Sequence, residues 1–354
     1  MTTTINNNPL AQTFVPAGSK KSWLVGNARL VDFSGLWLSA HIAHAGLIML
    51  WAGATTVMEV ARLDLSLPLG EQGLLVLPHL AMLGIGIGEG GTIVDTDGFF
   101  AIGILHLAAS AVLGAGGLFH LTTGADKLEI VGGKAKKFHF EWNDPRALGV
   151  ILGHHLLFLG LGALAFVLRA TQWGGIYDAN LQSVRIVDAA NIDPLRIFGY
   201  LFGQTASGWN PWGMAAVDNL EDIIGGHIWL SGLLIFGGIW HIIVPMLGWA
   251  KKVLRLGPDA LLSYSLGGLA FMAFTSCLFV SHNTVAFPPE FYGSDRLMAA
   301  NIQAGLAVVA LVGHLWHAYR ARTEAPMSAD AFAWLQPEPI AIPSQTIDLE
   351  QQSE

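Results

Sequence analysis

Charge is scarce in this chain. Only 12% of its 354 residues are Asp, Glu, Lys or Arg, while 53% are hydrophobic. Few water-soluble domains carry so little charge. Cysteine is scarcer still. Cys277 is the only one, which excludes an internal disulfide and any cysteine-ligated cluster and leaves a small apolar residue in a helix. Positive charge is in deficit, 18 Lys and Arg against 26 Asp and Glu for a net charge of −8. Nothing in that balance suits nucleic acid, and no nucleic-acid partner is expected. Residues 1–16 lack the basic flank and apolar run of a cleavable signal peptide. Acidic residues are too few within the apolar runs to build a proton relay or an ion path.

What is present is apolar length. Six stretches can cross a bilayer as helices, at about 33–56, 98–122, 147–170, 221–248, 260–283 and 298–319. The expectation is an all-α integral membrane bundle of six transmembrane helices. An even number puts both termini on one side, and basic residues choose it. Thirteen Lys and Arg flank one face, from Lys20 and Lys21 to Arg320 and Arg322, against five on the other: Arg62, Arg169, Arg185, Arg196 and Arg296. Both termini are therefore expected on the cytoplasmic (stromal) side. Residues 1–22 read as a polar N-terminal segment, 23–322 as the membrane domain, and 323–354 as a polar, acidic, mobile tail. Far-side loops run about 57–97, 171–220 and 284–297, the third one short. Gly86-Ile87-Gly88-Glu89-Gly90-Gly91 matches a dinucleotide pattern, but no strand–helix unit surrounds it.

Thirteen histidines stand out against this background. Span one carries His41 and His44, span two His106 and His120, and span three His154 and His155. Span four carries His227 and His241, span five His282, and span six His314 and His317. His79 lies in the first far-side loop and His139 in a charged near-side loop. The pairs in spans two and four are fourteen residues apart, about 21 Å and nearly four whole turns, so one face presents a ligand to each leaflet. The rest sort into the same two layers. A lone intramembrane histidine more often hydrogen-bonds a neighbouring helix than binds a cofactor. Eleven in or beside the spans weaken that explanation, because interhelical hydrogen bonds in membranes contribute little stability.

Two cofactor classes fit. Haem in a b-type cytochrome takes two histidines from facing helices, which would use four and leave the others idle. Chlorophyll magnesium takes one axial ligand and needs no pairing, which accounts for histidines on all six spans. Counting favours chlorophyll, and a b-type haem electron carrier is the alternative.

The motifs around these histidines carry a resemblance. They include Ala40-His41-Ile42-Ala43-His44-Ala45-Gly46, Leu77-Pro78-His79-Leu80, Leu152-Gly153-His154-His155-Leu156, Gly225-Gly226-His227-Ile228-Trp229 and Gly238-Ile239-Trp240-His241. Further along are Leu262-Ser263-Tyr264-Ser265-Leu266-Gly267, Pro289-Glu290-Phe291-Tyr292-Gly293 and Gly313-His314-Leu315-Trp316-His317-Ala318. Over residues 23–322 the chain resembles the six-helix chlorophyll antenna family that includes the inner antennae of photosystem II and the Pcb and IsiA proteins. The resemblance implies that His41, His44, His106, His120, His155, His227, His241, His314 and His317 are chlorophyll ligands, adds Asn27 through its side-chain oxygen, and extends to His79. It leaves His154, beside the matched His155, to packing or hydrogen bonding.

Three departures are informative. The 284–297 loop replaces the large lumenal domain of the photosystem II subunits, which points to the accessory Pcb/IsiA branch. Relatives have His where this chain has Gln303, whose amide oxygen can still ligate magnesium. His282 stands where the photosystem II inner antennae have Asn, making an extra site. The resemblance further implies chlorophyll a, with or replaced by b or d, and carotenoid. It implies a photosystem I or II core, other copies of the antenna family and membrane lipids as partners, and a cyanobacterial-type thylakoid membrane as location. No nucleophile–base or charge-relay arrangement is visible, so an enzyme is not expected.

Overall fold

The computed structural model describes residues 34–122 and 140–323. Asn27 and His139 lie outside them. In chain order the helices are α1 (Ser34–Ala61), α2 (Leu77–Met82), α3 (Asp97–Thr122), α4 (Pro145–Thr171) and α5 (Pro194–Gly199). They continue as α6 (Leu220–Ile243), α7 (Gly248–Val253), α8 (Pro258–His282), α9 (Pro289–Tyr292) and α10 (Leu297–Thr323). Among the described residues six of these, α1, α3, α4, α6, α8 and α10, are long and apolar enough to cross a membrane.

The helix starts follow local chemistry. Asp144 caps α4 by accepting from the backbone N–H of Arg146 and Ala147, with Pro145 as first helical residue. Asn219 caps α6 by accepting from the N–H of Asp222 at 2.8 Å. Pro258 opens α8 after Gly257, whose φ of +139° suits only glycine. Two ends differ from the sequence expectation. The first span continues to Ala61. The fourth stops at Ile243 and not near 248, because Pro245 forces Val244 into the extended conformation (φ −92°, ψ 125°).

The six spans form three pairs, α1 with α3, α4 with α6 and α8 with α10, and contact between spans of different pairs is marginal. Protein buries only 6–22% of the residues in each span's apolar stretch, so the packed core lies elsewhere. It lies in the far-side layer. One cluster gathers Leu69, Leu77, Ala81, Ile87, Phe99, Tyr177 and Phe291 from all three far-side connections. A second joins the ends of α4 and α6 to the loops through Val167, Ala170, Ile176, Val187, Leu220, Ile224 and Val285.

Polar ties reinforce this layer. The Glu59 carboxylate, at the far end of α1, is 1% exposed and accepts from the N–H groups of Leu75, Val76 and Leu77, capping α2. In the second loop β1 (Ile176–Asp178) pairs antiparallel with β2 (Ser183–Arg185), Tyr177 opposite Val184. Arg185 then bridges Asp178 at 2.7 Å and Glu221 of α6 at 2.8 Å. A second two-stranded ribbon pairs β3 (Gln204–Thr205) with β4 (Gly208–Trp209). Tyr177 donates to Glu290 at 2.8 Å, and burial together with that carboxylate pushes its phenol up. The short 284–297 segment is clamped by Arg296, which donates to the carbonyls of Val280, Asn283 and Phe287. The Gly86–Gly91 run is a turn, with φ near +70° at Gly86, Gly90 and Gly91 and one bridge from Ile87 to Ile93. No strand–helix unit forms there.

Candidate functional site

The histidines sit in two layers. Antiparallel pairing brings residues near 42 of α1 beside Gly116 of α3, Gly149 of α4 beside the His241 carbonyl, and His314 of α10 beside Gly267 of α8. His41, His44, His120, His154, His155, His241, His314 and His317 therefore occupy one end of the bundle. His106 and His227, with His282 and the loop residue His79, occupy the other.

Ring orientation is the informative detail. His41 Nδ1–H donates to the Trp37 carbonyl at 2.7 Å, His106 to Ile102 at 2.8 Å and His227 to Ile223 at 2.8 Å. His154 donates to Val150 at 2.8 Å, and His79, on α2, donates to Leu75 at 2.9 Å. In each case the acceptor is the carbonyl four residues back. A carbonyl cannot donate, so Nδ1 carries the proton. In the neutral ring Nε2 then carries the lone pair and faces away from its own helix. Fixing one ring nitrogen so that the other is presented as a donor atom is the arrangement of metal-ligating histidine.

The last two histidines are anchored across the helix pair. His314 Nδ1 meets the Ser263 carbonyl of α8 at 2.7 Å, while Ser263 Oγ–H donates back to the His314 carbonyl at 3.2 Å. Gly267 makes room for this ring, since a Cβ there would stand 2.9 Å from Nδ1. His317 Nδ1–H donates to the Asp259 carboxylate at 2.6 Å, and Arg320 holds the same carboxylate at 3.2 Å. Among the described residues, His44, His120, His155, His241 and His282 have no hydrogen bond to a ring nitrogen. Phe119 stands edge-on to His120 at 5.3 Å, Phe166 edge-on to His227 at 4.7 Å, and Trp212 lies over His282 at 3.7 Å. Gln303 is half-buried on α10 and has no side-chain hydrogen bond among the described residues.

These residues fit a macrocyclic magnesium better than a bare ion. Among the described residues no three His, Cys, Asp or Glu side chains converge on one point. The histidines of the spans are flanked by exposed apolar residues, such as Leu105 (67% exposed) next to His106. That suits a centre whose other ligands come from its own ring. Sequence reasoning missed the Asp259 partner, because nothing in the sequence links positions 58 apart. It left His154 to packing or hydrogen bonding, and the ring does hydrogen-bond, to the Val150 carbonyl four residues back.

The family model described as Photosystem II protein matches residues 20–303. The chain is 54% identical over 307 residues to the chlorophyll a/b light-harvesting protein Pcb of Fischerella muscicola, covering 86% of this chain and 95% of that one. It is 53% identical over 309 residues to the chlorophyll a/b light-harvesting protein PcbC of Prochlorothrix hollandica, covering 87% and 82%. A model match over most of the chain, and relatives more than half identical along most of their own length, lead to one conclusion: this chain belongs to the photosystem II protein family, on the branch of the Pcb light-harvesting proteins.

Proposed function

We propose that the protein is an accessory light-harvesting antenna of a photosynthetic membrane, binding many chlorophylls and passing excitation to a photosystem. The carrying observation is the set of span histidines whose Nδ1–H is anchored on the carbonyl four residues back and whose Nε2 has no protein partner among the described residues. The relatives' names support the same reading. Chlorophyll, when bound, supplies the absorption and the excited state that migrates. The protein residues hold each ring at its magnesium, fix its tilt, and exclude water from it.

The ligand set we assign is His41, His44, His79, His106, His120, His155, His227, His241, His282, His314 and His317, with Asn27 and Gln303 as oxygen donors. Trp212 steers the His282 ring by stacking on it. Gln303 is free for magnesium or for one bridging water, as it spends its amide on no protein group among the described residues. Chlorophyll a is the assigned pigment, alone or with b or d, alongside carotenoid. Both termini face the cytoplasmic side of a cyanobacterial-type thylakoid, with the six-helix domain spanning residues 23–322. The short loop around α9 leaves lateral docking to a photosystem I or II core and to sister antenna chains. No bond chemistry is assigned.

The test is pigment extraction and chromatography of the purified protein, with a haem assay beside it. Many chlorophylls per chain and no haem are expected. A pyridine haemochrome signal near two per chain without chlorophyll would establish the b-type cytochrome alternative instead.

A further inference from the structure

We propose that His154 binds a chlorophyll of its own, separate from the one on His155, so that α4 carries two pigments from adjacent residues. This rests on the antenna reading above. His154 shares the arrangement of His41, His106 and His227: Nδ1–H donates to the carbonyl four residues back, here Val150 at 2.8 Å. It is exposed, and its Nε2 has no protein partner among the described residues. It lies nine residues into α4, about 13 Å along the axis and well inside the apolar stretch. A bare imidazole lone pair at that depth is costly, and a magnesium chlorin satisfies it.

The directions of the two rings keep the two sites apart. The face of α4 that meets α6 is marked by Gly153, where a Cβ would stand 2.6 Å from the Gly238 carbonyl oxygen. At 3.6 residues per turn, His154 stands about 100° round the helix from Gly153 and His155 about 200°. Neither ring points at α6, and their directions diverge by about 100°. Two macrocycles on those bearings occupy different wedges beside the helix. The wedge of His154 is apolar and open: Phe158 and Leu161, one and two turns on near the same bearing, are 68% and 53% exposed. A ring ligated by His154 lies along that lane.

The experiment measures chlorophyll per chain in the purified, full-length protein for His154→Leu, His155→Leu, the double variant and His227→Leu. The expected result is a loss of one chlorophyll for each single variant and of two for the double. A His154→Leu protein that keeps the full complement, or a His155→Leu protein that keeps it while His154→Leu loses one, overturns the two-pigment assignment. Full retention in His227→Leu as well would instead overturn the antenna ligand reading itself. If the leucine variant does not fold, His154→Gln decides. Its amide oxygen keeps the pigment as an axial ligand of different strength, so one absorption component shifts while pigment number holds. A His154→Gln spectrum superimposable on the parent's overturns the proposal.

Discussion

The pairs α1/α3 and α4/α6 are built differently from α8/α10. In the first two, glycine lets backbones touch. A Cβ at Gly53 would stand 2.7 Å from the Gly103 carbonyl oxygen, and one at Gly238 would stand 2.7 Å from that of Gly153. Serines tie the same faces: Ser39 donates to the Gly117 carbonyl, Ser110 to Gly46 and Ser231 to Gly160, all at 2.8–2.9 Å. The histidine rings of those pairs make no hydrogen bond across the interface, which His227 meets only through the edge contact with Phe166, and they anchor, where they anchor, on their own backbone. In α8/α10 the histidines bond across the interface, through His314–Ser263 and His317–Asp259. Ligand presentation and helix pairing are thus independent in two pairs and coupled in the third.

The largest effect is expected from breaking the glycine contact. Gly153→Val puts branched carbon against the Gly238 carbonyl, where even a Cβ would be too close. Backbone cannot yield as a side chain tip can, so the strain exceeds the roughly 1–3 kcal/mol of ordinary overpacking. Little monodisperse, pigmented protein should elute on size exclusion. At Gly268 of α8 a Cβ would meet nothing within 4 Å, and Gly268→Val should elute like the parent.

Next in size is a comparison of ligand deletions. His106→Leu and His314→Leu should each lose one pigment. Only His314→Leu also removes a bond to the facing helix and empties the space beside Gly267. Its thermal transition should therefore fall further, by the equivalent of about 1 kcal/mol for the lost hydrogen bond. Equal melting temperatures would mean that the coupling in the third pair contributes nothing.

Asp259→Asn should act more gently. The amide oxygen still accepts from His317 Nδ1–H, so pigment number should hold. The carboxylate charge that strengthens the imidazole as a donor is gone, and Arg320 loses this counter-charge. A shift in one absorption component without pigment loss is expected, read from a low-temperature difference spectrum. Asp259→Leu removes the acceptor and should lower pigment occupancy.

The spans were legible in the sequence because length and hydropathy alone decide them, and the two histidine layers because helical rise turns spacing into depth. Span four misled at its end, where hydropathy continues past 243 but Pro245 does not allow the helix to follow. The pairing of helices was not legible. Glycines occur on every span, and only the backbone distances tell Gly153, pressed against α6, from Gly162, which faces open space. The far-side core was also hidden, since its members come from three separate connections and the start of α3. Nor could the tautomers be read, as they depend on rotamers that place Nδ1 against a carbonyl.

The smallest effect probes the serine ties. Ser231 is 3% exposed, and its Oγ donates to the Gly160 carbonyl at 2.9 Å. That carbonyl belongs to a helix and has a partner within it, so the serine supplies a second bond to an already satisfied acceptor. Ser231→Ala removes one donor and leaves no buried polar atom stranded. The cost should fall near the membrane average of about 0.6 kcal/mol, with pigment content and spectrum unchanged. The comparison sharpens with Ser263→Ala in the third pair. There the hydroxyl bonds the His314 carbonyl and also stands 3.2 Å from His314 Nδ1, while the Ser263 backbone carbonyl holds the ligand ring. The backbone bond survives the substitution, so the pigment should stay. The helix shift that follows loss of the hydroxyl should nevertheless reach the ring and move its absorption. A spectral change in Ser263→Ala and none in Ser231→Ala would show that only the third pair couples helix packing to pigment tuning.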